Sequence, residues 1–327
     1  MSDLTLSCSF PPGPDVVAHA KKAEALGYDR IWLYDSPALY PDLWVSLADI
    51  ARETETIKIG VAVLVPSLRN VVTQAAAVAT IAQRAPGRLA IAVGTGFTGR
   101  MVLGQKPLSW KTTGEYIRRL KALLAGEEIV VDGKALALIH PDGYSQVPAD
   151  VPVLVAANGP KGLAVAEELG DGVMALGALG VVPVGFDWVA SFVFGTVLDD
   201  GEAPDSERAI AAAGPALTAV LHGAVEGGSG EMIAAMPGGE EWLAELAATP
   251  EERRHLLLHA DHMVRVTERD RPLVTGELLQ AFTWTGVANE VSARADAFSA
   301  QGGTEIVYAA HGPDVDRELE AFQAAVG

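Results

Sequence analysis

Short apolar, β-branched runs alternate with longer stretches of helical periodicity from the start of the chain. Leu4 to Ser9 reads as a strand. Val16, Val17, Ala20, Ala23 and Leu26 then share one face of a helix from about Pro14 to Leu26. Pro14 is tolerated in a first helical turn, and Gly27 supplies the stop. Strands follow at Arg30 to Tyr34, Ile57 to Val65 and Leu89 to Val93, separated by helices from Leu43 to Ala51 and Val71 to Arg84. The Ile57 to Val65 run is almost wholly apolar, which suits a strand buried on both faces. The pattern resumes with a strand at Pro152 to Ala157, a helix at Lys161 to Leu169 and a strand at Gly172 to Leu176. Phe192 to Leu198 and Glu305 to Tyr308 are the seventh and eighth strand candidates. Between them lie helical stretches at Ser206 to Leu221, Glu240 to Ala247, Pro250 to His262 and Val287 to Ala300.

Strand starts near 4, 30, 57 and 89 mark successive βα units joined by parallel crossovers. Eight strands, each followed by helix, favour one (β/α)8 TIM-barrel domain over residues 1–327 rather than an open doubly wound sheet. Two stretches break the rhythm. Within 127–150, the apolar Ile129-Val130-Val131, then Asp132-Gly133, then Ala135 to Ile139 predict a hairpin insertion. Residues 223–271 are an irregular helical insertion expected near the barrel mouth.

Composition narrows the partners. Of 327 residues, 49% are hydrophobic and 20% charged, which argues for a packed core and against disorder. Lys and Arg total 24 against 42 Asp and Glu, a formal charge of -18. Nucleic acid and anionic membrane surfaces are therefore poor partners, and a small-molecule ligand is expected. A small anion remains admissible, because N–H groups at a helix start bind phosphate locally. Cys8 is the one cysteine, so neither an intrachain disulfide nor a cysteine-based zinc cluster is available. The chain opens without a signal-peptide pattern and has no 18-residue apolar run, giving the expectation of a cytoplasmic protein.

Barrel ligands sit at the C-terminal ends of strands. The segments there are Asp35-Ser36-Pro37, Ala62-Val63, Gly94-Thr95-Gly96-Phe97, Asn158-Gly159-Pro160-Lys161 and Gly177-Ala178-Leu179-Gly180. The Gly94-Thr95-Gly96 turn either lets backbone approach a flat ligand or is an ordinary strand-to-loop turn. Asn158 and Gly159 either present helix N–H groups to a phosphate or simply cap the helix. Asp35 either accepts a hydrogen bond from a ring N–H or hydroxyl, or caps the next helix. Phe282 and Trp284 either line a pocket or pack in the core. His255, His259 and His262 fall at i, i+4 and i+7, a spacing able to bind metal on one helix face. Without a His-Glu-x-x-His pattern they are expected to form a solvated helix face, and no metal is expected. Walker and GxGxxG signatures are missing too.

At these residues the chain resembles the luciferase-like monooxygenase superfamily, above all its coenzyme F420-dependent oxidoreductase branch, which includes methylenetetrahydromethanopterin reductase. The resemblance is carried by Ala23-Glu24-Ala25-Leu26-Gly27-Tyr28-Asp29, Ile57-Lys58-Ile59-Gly60-Val61, and Ala85-Pro86-Gly87-Arg88-Leu89 with Gly94-Thr95-Gly96. It continues over Ala156 to Lys161 and Ala166 to Val173, and is weak over 180–285. It implies a deazaflavin lying across the strand ends, with Asp35 at the ring, a non-prolyl cis peptide at Ala62-Val63 bulging behind it, and Gly94, Thr95 and Gly96 beside it. Asn158, Gly159, Gly177 and Ala178 would hold its linker and phosphate. The sugar-phosphate dehydrogenases of the branch carry a histidine and a glutamate where this chain has Ser36 and Phe97, which speaks against glucose 6-phosphate as substrate.

The expected activity is hydride transfer between F420 and a small organic substrate with a C=C, C=N or pterin-like bond. Asp35, Ser36 and Thr95 take the catalytic positions, and Phe97 and Trp284 the substrate walls. The alternatives are an FMN-dependent two-component monooxygenase on the same fold and a cofactor-binding barrel without turnover. A homodimer is expected from the resemblance.

Overall fold

Successive side chains of a strand point to opposite faces, and in this chain that alternation builds two separate packed layers. The computed structural model describes residues 4–176 and 181–327. Eight parallel strands close into a barrel: β1 (Thr5–Phe10), β2 (Arg30–Leu33), β3 (Lys58–Leu64), β4 (Leu89–Val93), β5 (Val153–Ala156), β6 (Gly172–Leu176), β7 (Val189–Phe194) and β8 (Glu305–Ala309). Each pairs with its neighbours in sequence, and β1 also pairs with β8 to complete the ring. The TIM barrel read from the periodicity is the observed fold.

Outward-facing Ile31, Leu33, Ile59, Val61, Ile91 and Val93 are fully buried beneath the surrounding helices. These include Val16–Ala25, Leu43–Glu53, Val71–Arg84 and Trp110–Leu124. Inward-facing Trp32, Ala90, Ala92, Leu154, Met174 and Phe192 fill the barrel as a second core. At its N-terminal end the Arg30 guanidinium lies 5.2 Å from both the Trp32 and Trp188 ring centroids. The two indoles donate to opposite oxygens of Glu305, at 2.9 and 2.6 Å. That assembly closes the floor, so the mouth at the other end is where a ligand can be held.

β3 is not a straight strand. The Ala62–Val63 peptide is cis, and the pairing with β4 shifts register between Ala62 and Leu64. The expected hairpin is present, with Ile129–Val131 antiparallel to Lys134–Leu136. Asp132 and Gly133 turn it with φ of 51° and 73°, the left-handed pair that a two-residue hairpin favours.

Three expectations need correction. The seventh strand is Val189–Phe194, not Phe192 to Leu198. Gly195 adopts φ 136° and ends the strand, after which Val197–Leu198 pairs with Gly286–Val287 in a separate two-stranded sheet. The helix expected to reach His262 stops at Leu258, and Asp261 and Met263 have left-handed φ of 54° and 57°. The C-terminal helix Val315–Val326, unmarked in the sequence pattern, buries Leu319 and Phe322. Among the described residues, one helix, Glu207–Glu226, is long and apolar enough to cross a membrane; most of it is buried within the protein.

Candidate active site

The loops after β2, β3 and β4 converge at the barrel mouth. Asp35, 4% exposed, follows β2, and Arg69, beyond the end of β3, donates from Nη1 to both of its oxygens at 2.6 and 2.5 Å. Burial pushes the Asp35 carboxyl above its ordinary range, with Arg69 opposing that shift. Arg69 also donates to Asp42 at 2.7 Å. Asp42, rather than Asp35, caps the next helix by accepting from the Trp44 N–H.

Ser36 is half-buried, and the backbone of Gly99 packs against it: a Cβ on Gly99 would lie 3.2 Å from the Asp35 carbonyl and 3.4 Å from Ser36 Oγ. A Cβ on Gly94 would stand 3.0 Å from Val63 Cγ2 and 3.4 Å from the Ala156 methyl. The Ala62–Val63 bulge, Gly94 and the end of β5 are thus neighbours. Gly96 has φ 80° and sits against Val65, where a Cβ would come within 2.4 Å. Thr95 is half-buried, and its carbonyl accepts from the Leu108 N–H at 2.9 Å. Phe97 is 48% exposed and lies over Gly223. The structure therefore brings together Asp35, Ser36, Ala62, Val63, Gly94, Thr95, Gly96 and Phe97.

The remaining expected residues fare differently. The Asn158 side chain is engaged by the end of β6, accepting from Leu176 N at 3.2 Å and donating to Leu176 O at 3.4 Å. Gly159 precedes the helix Pro160–Leu169 and has open space around its Cα. Gly177 and Ala178 lie outside the described residues. Trp284 stacks on Phe322 of the C-terminal helix, with centroids 6.5 Å apart, and packs with the core outside the barrel. That engagement gives the half-buried ring a packing role. Phe282 packs in the core of the helical insertion.

Residue patterns did not disclose several mouth groups. Tyr34 is 3.0 Å from Ser9 Oγ through its hydroxyl, and its ring meets Phe192 and Tyr40, each at 6.2 Å. Phe194 stacks on Phe192. His311, two residues beyond β8, is buried, and burial, opposed by a contact with the Ala309 backbone, lowers its pKa to about 4. The strand-end rule that singled out Asp35 applies equally to His311. No local signal marks Arg69.

The histidine expectation is overturned. His259 and His262 are buried, not solvated, because the left-handed turn at Asp261 folds them inward. They meet His222 from the helix Glu207–Glu226, while His255 stays outside the group. Burial, more than the neighbouring imidazoles, lowers the His262 pKa well below the ordinary range, and burial also lowers that of His222. The Tyr40 hydroxyl donates to the His262 carbonyl at 2.6 Å, tying this region to the loop after β2.

The chain is 32% identical over 181 residues to a 5,10-methylenetetrahydromethanopterin reductase of Methanolobus tindarius, covering 52% of this chain and 53% of the relative. It is 32% identical over 181 residues to an F420-dependent glucose-6-phosphate dehydrogenase of Beutenbergia cavernae, covering 48% and 51%. The chain spans about half the length of the curated relatives it matches. Among solved structures, an F420-dependent secondary alcohol dehydrogenase bound to an F420-acetone adduct superposes with a TM-score of 0.67 at 19% identity, covering 100% of this chain and 98% of that one. The coenzyme F420-dependent tetrahydromethanopterin reductase of Methanopyrus kandleri gives 0.67 at 18% identity, covering 99% and 98%. These likenesses establish the shared barrel. The luciferase-like monooxygenase pattern matches residues 6–180, more than half of the chain, from within β1 through β6, and the chain belongs to that family.

Proposed function

We propose that this chain is an oxidoreductase transferring hydride between coenzyme F420 and a small organic substrate with a C=C, C=N or pterin-like bond. One observation carries the proposal: the family match spans β1 to β6 with the converging strand-end segments, and a relative matched over 48% of the chain is an enzyme named for F420. We place the ring of the coenzyme at the mouth. Gly94 and Gly96 keep side chains away from the turn after β4, and Val63 offers an apolar surface beside them. When bound, the coenzyme supplies a carbon centre that donates or accepts hydride.

The protein's part is orientation and exclusion of water. Arg69 holds Asp35 on both oxygens, so Asp35 has only its remaining acceptor capacity to offer a ring N–H or hydroxyl. Ser36 and Thr95 supply hydroxyls beside it. Tyr34, Phe192 and Phe194 provide a dry aromatic wall, and exposed Phe97 is the apolar surface available to substrate. Asn158 acts as a positioning residue for the end of β6, leaving the N–H groups near Gly159 for a phosphate. A homodimer belongs to the same proposal, supported by the family resemblance alone, and a cytoplasmic location rests on the sequence pattern described above.

Titration of the purified chain with F420, followed by deazaflavin fluorescence, should give a saturable complex. Reduced F420 should then be reoxidised in the presence of enone, imine or pterin-like substrates. Failure to form a complex overturns the proposal. The family's monooxygenase character favours a second reading, an FMN-dependent monooxygenase, for which oxygen uptake coupled to hydroxylation would be decisive. Saturable cofactor binding with no turnover across the panel would instead indicate a barrel that only binds.

A further inference from the structure

Beneath the insertion that flanks the mouth, three histidines from two separate segments point their ring nitrogens at one another. His222 comes from the helix Glu207–Glu226, and His259 and His262 from the turn after the helix Arg254–Leu258. All are buried, and one ligand atom of each lies within 4.8 Å of the others. His259 Nε2 is 2.9 Å from Glu226 Oε1. An ionised carboxylate only accepts, so with His259 donating Nε2–H its Nδ1 is the acceptor in a 3.4 Å contact with His262 Nδ1, and a bound metal would displace the proton shared there. Two nitrogens each about 2.0–2.1 Å from a tetrahedral zinc ion stand roughly 3.3 Å apart, so this pair is already at ligating separation.

The surroundings are those of supported metal ligands. His222 Nε2 lies 3.4 Å from Asp270 Oδ2. Asp270 is itself held by the Trp242 indole at 2.8 Å, Thr267 Oγ1 at 2.7 Å and Arg269 Nε at 2.9 Å. Carboxylates behind ligating imidazoles fix tautomer and ring orientation. His222 Nδ1 makes no hydrogen bond, and Glu226 Oε2 is also buried without one. Two carboxylates therefore face one guanidinium and three imidazoles, a balance that a cation improves. A cavity of about 440 Å³, lined in part by Glu251, Arg254 and His255, reaches Glu226, the carboxylate behind His259.

We propose that His222, His259 and His262 bind one divalent transition metal of the zinc class, leaving a fourth position for a solvent oxygen. Nitrogen-only ligation selects this class over calcium and magnesium, which require oxygen ligands. The ion would pin the turn at 259–263 to the long helix and, through the Tyr40 bond to His262, to the loop after β2. This inference stands apart from the F420 proposal.

The full-length chain, stripped with chelator, is titrated with zinc chloride by calorimetry and with cobalt chloride by visible absorption. One ion per chain, the intense visible bands of tetrahedral cobalt(II) and a zinc-dependent rise in Tm are expected. Glu226→Gln should weaken binding ~10–100-fold, His259→Gln and His262→Gln should weaken it further, and His255→Gln should leave it unchanged. No stoichiometric uptake by the wild type, a weak octahedral cobalt spectrum, or undiminished affinity in the folded His259→Gln/His262→Gln double variant would overturn the proposal. Wild-type stoichiometry and the cobalt spectrum need no variant, so they decide the matter even if a histidine variant does not fold.

Discussion

At Asp35 a carboxylate almost without solvent contact meets one guanidinium on both oxygens, and its partner Arg69 is itself only 14% exposed. Replacing Asp35 by alanine strands that guanidinium. The expected cost is about 3 kcal/mol, the low end for breaking a buried pair because Asp42 keeps its hold on Nη2. Urea unfolding of Asp35→Ala measures it, and a loss below about 1 kcal/mol would place the pair in the weak class of surface ion pairs. The two partners differ in how far the sequence revealed them. Asp35 was legible because a carboxylate directly after a barrel strand stands at a ligand-binding end. Arg69 was not, since its role depends on where the loop after β3 lands relative to β2. The histidines failed for a related reason. Helical spacing presumed a continuous helix through His262, but the left-handed turn at Asp261 breaks the periodicity. His222, more than thirty residues earlier in the chain, carries no spacing that links it to the pair.

Among the elements, β3 shows how closely local sequence and packing agree. Gly60 faces the barrel interior where the Trp32 ring lies, and a Cβ there would stand 2.3 Å from Trp32 Cε3. Gly60→Ala should push the indole out of line with Glu305 and lower stability by roughly 1–3 kcal/mol, the usual cost of overpacking. A denaturation midpoint unchanged from wild type would show that the floor accommodates the methyl. β3, β4 and β6 were legible because strands buried on both faces read as unbroken apolar runs. β7 was displaced toward the C-terminus because Val197 and Leu198 extend the apolar run past Gly195, whose φ of 136° ends the strand that begins at Val189. The C-terminal helix escaped notice because its buried face includes Glu318, which looks like a solvent position until its partners are known.

Those partners connect distant parts of the molecule. Glu318, on the C-terminal helix, accepts from Arg208 at 2.8 Å and from Thr196 at 2.5 Å, and Arg208 also reaches Glu202. Burial works against the Glu202 charge, but Arg208, Ser206 and the Asp199 N–H outweigh it and hold the carboxyl at about 2. A carboxyl depressed on folding contributes stability above its unfolded pKa and loses it as pH falls toward the folded value. This clamp should therefore weaken as pH drops from about 4.5 toward 2, and Glu202→Gln should flatten the acid limb of a plot of urea midpoint against pH. An acid limb identical to wild type would mean that other carboxylates govern acid unfolding. The pairing of β1 with β8 has a further consequence, for biosynthesis. β1 is made well before β8, so one of its edges stays without a partner until residue 309 has left the ribosome. Over that interval the nascent chain carries an open sheet edge that can template association with other chains, and chaperone shielding would have to cover it.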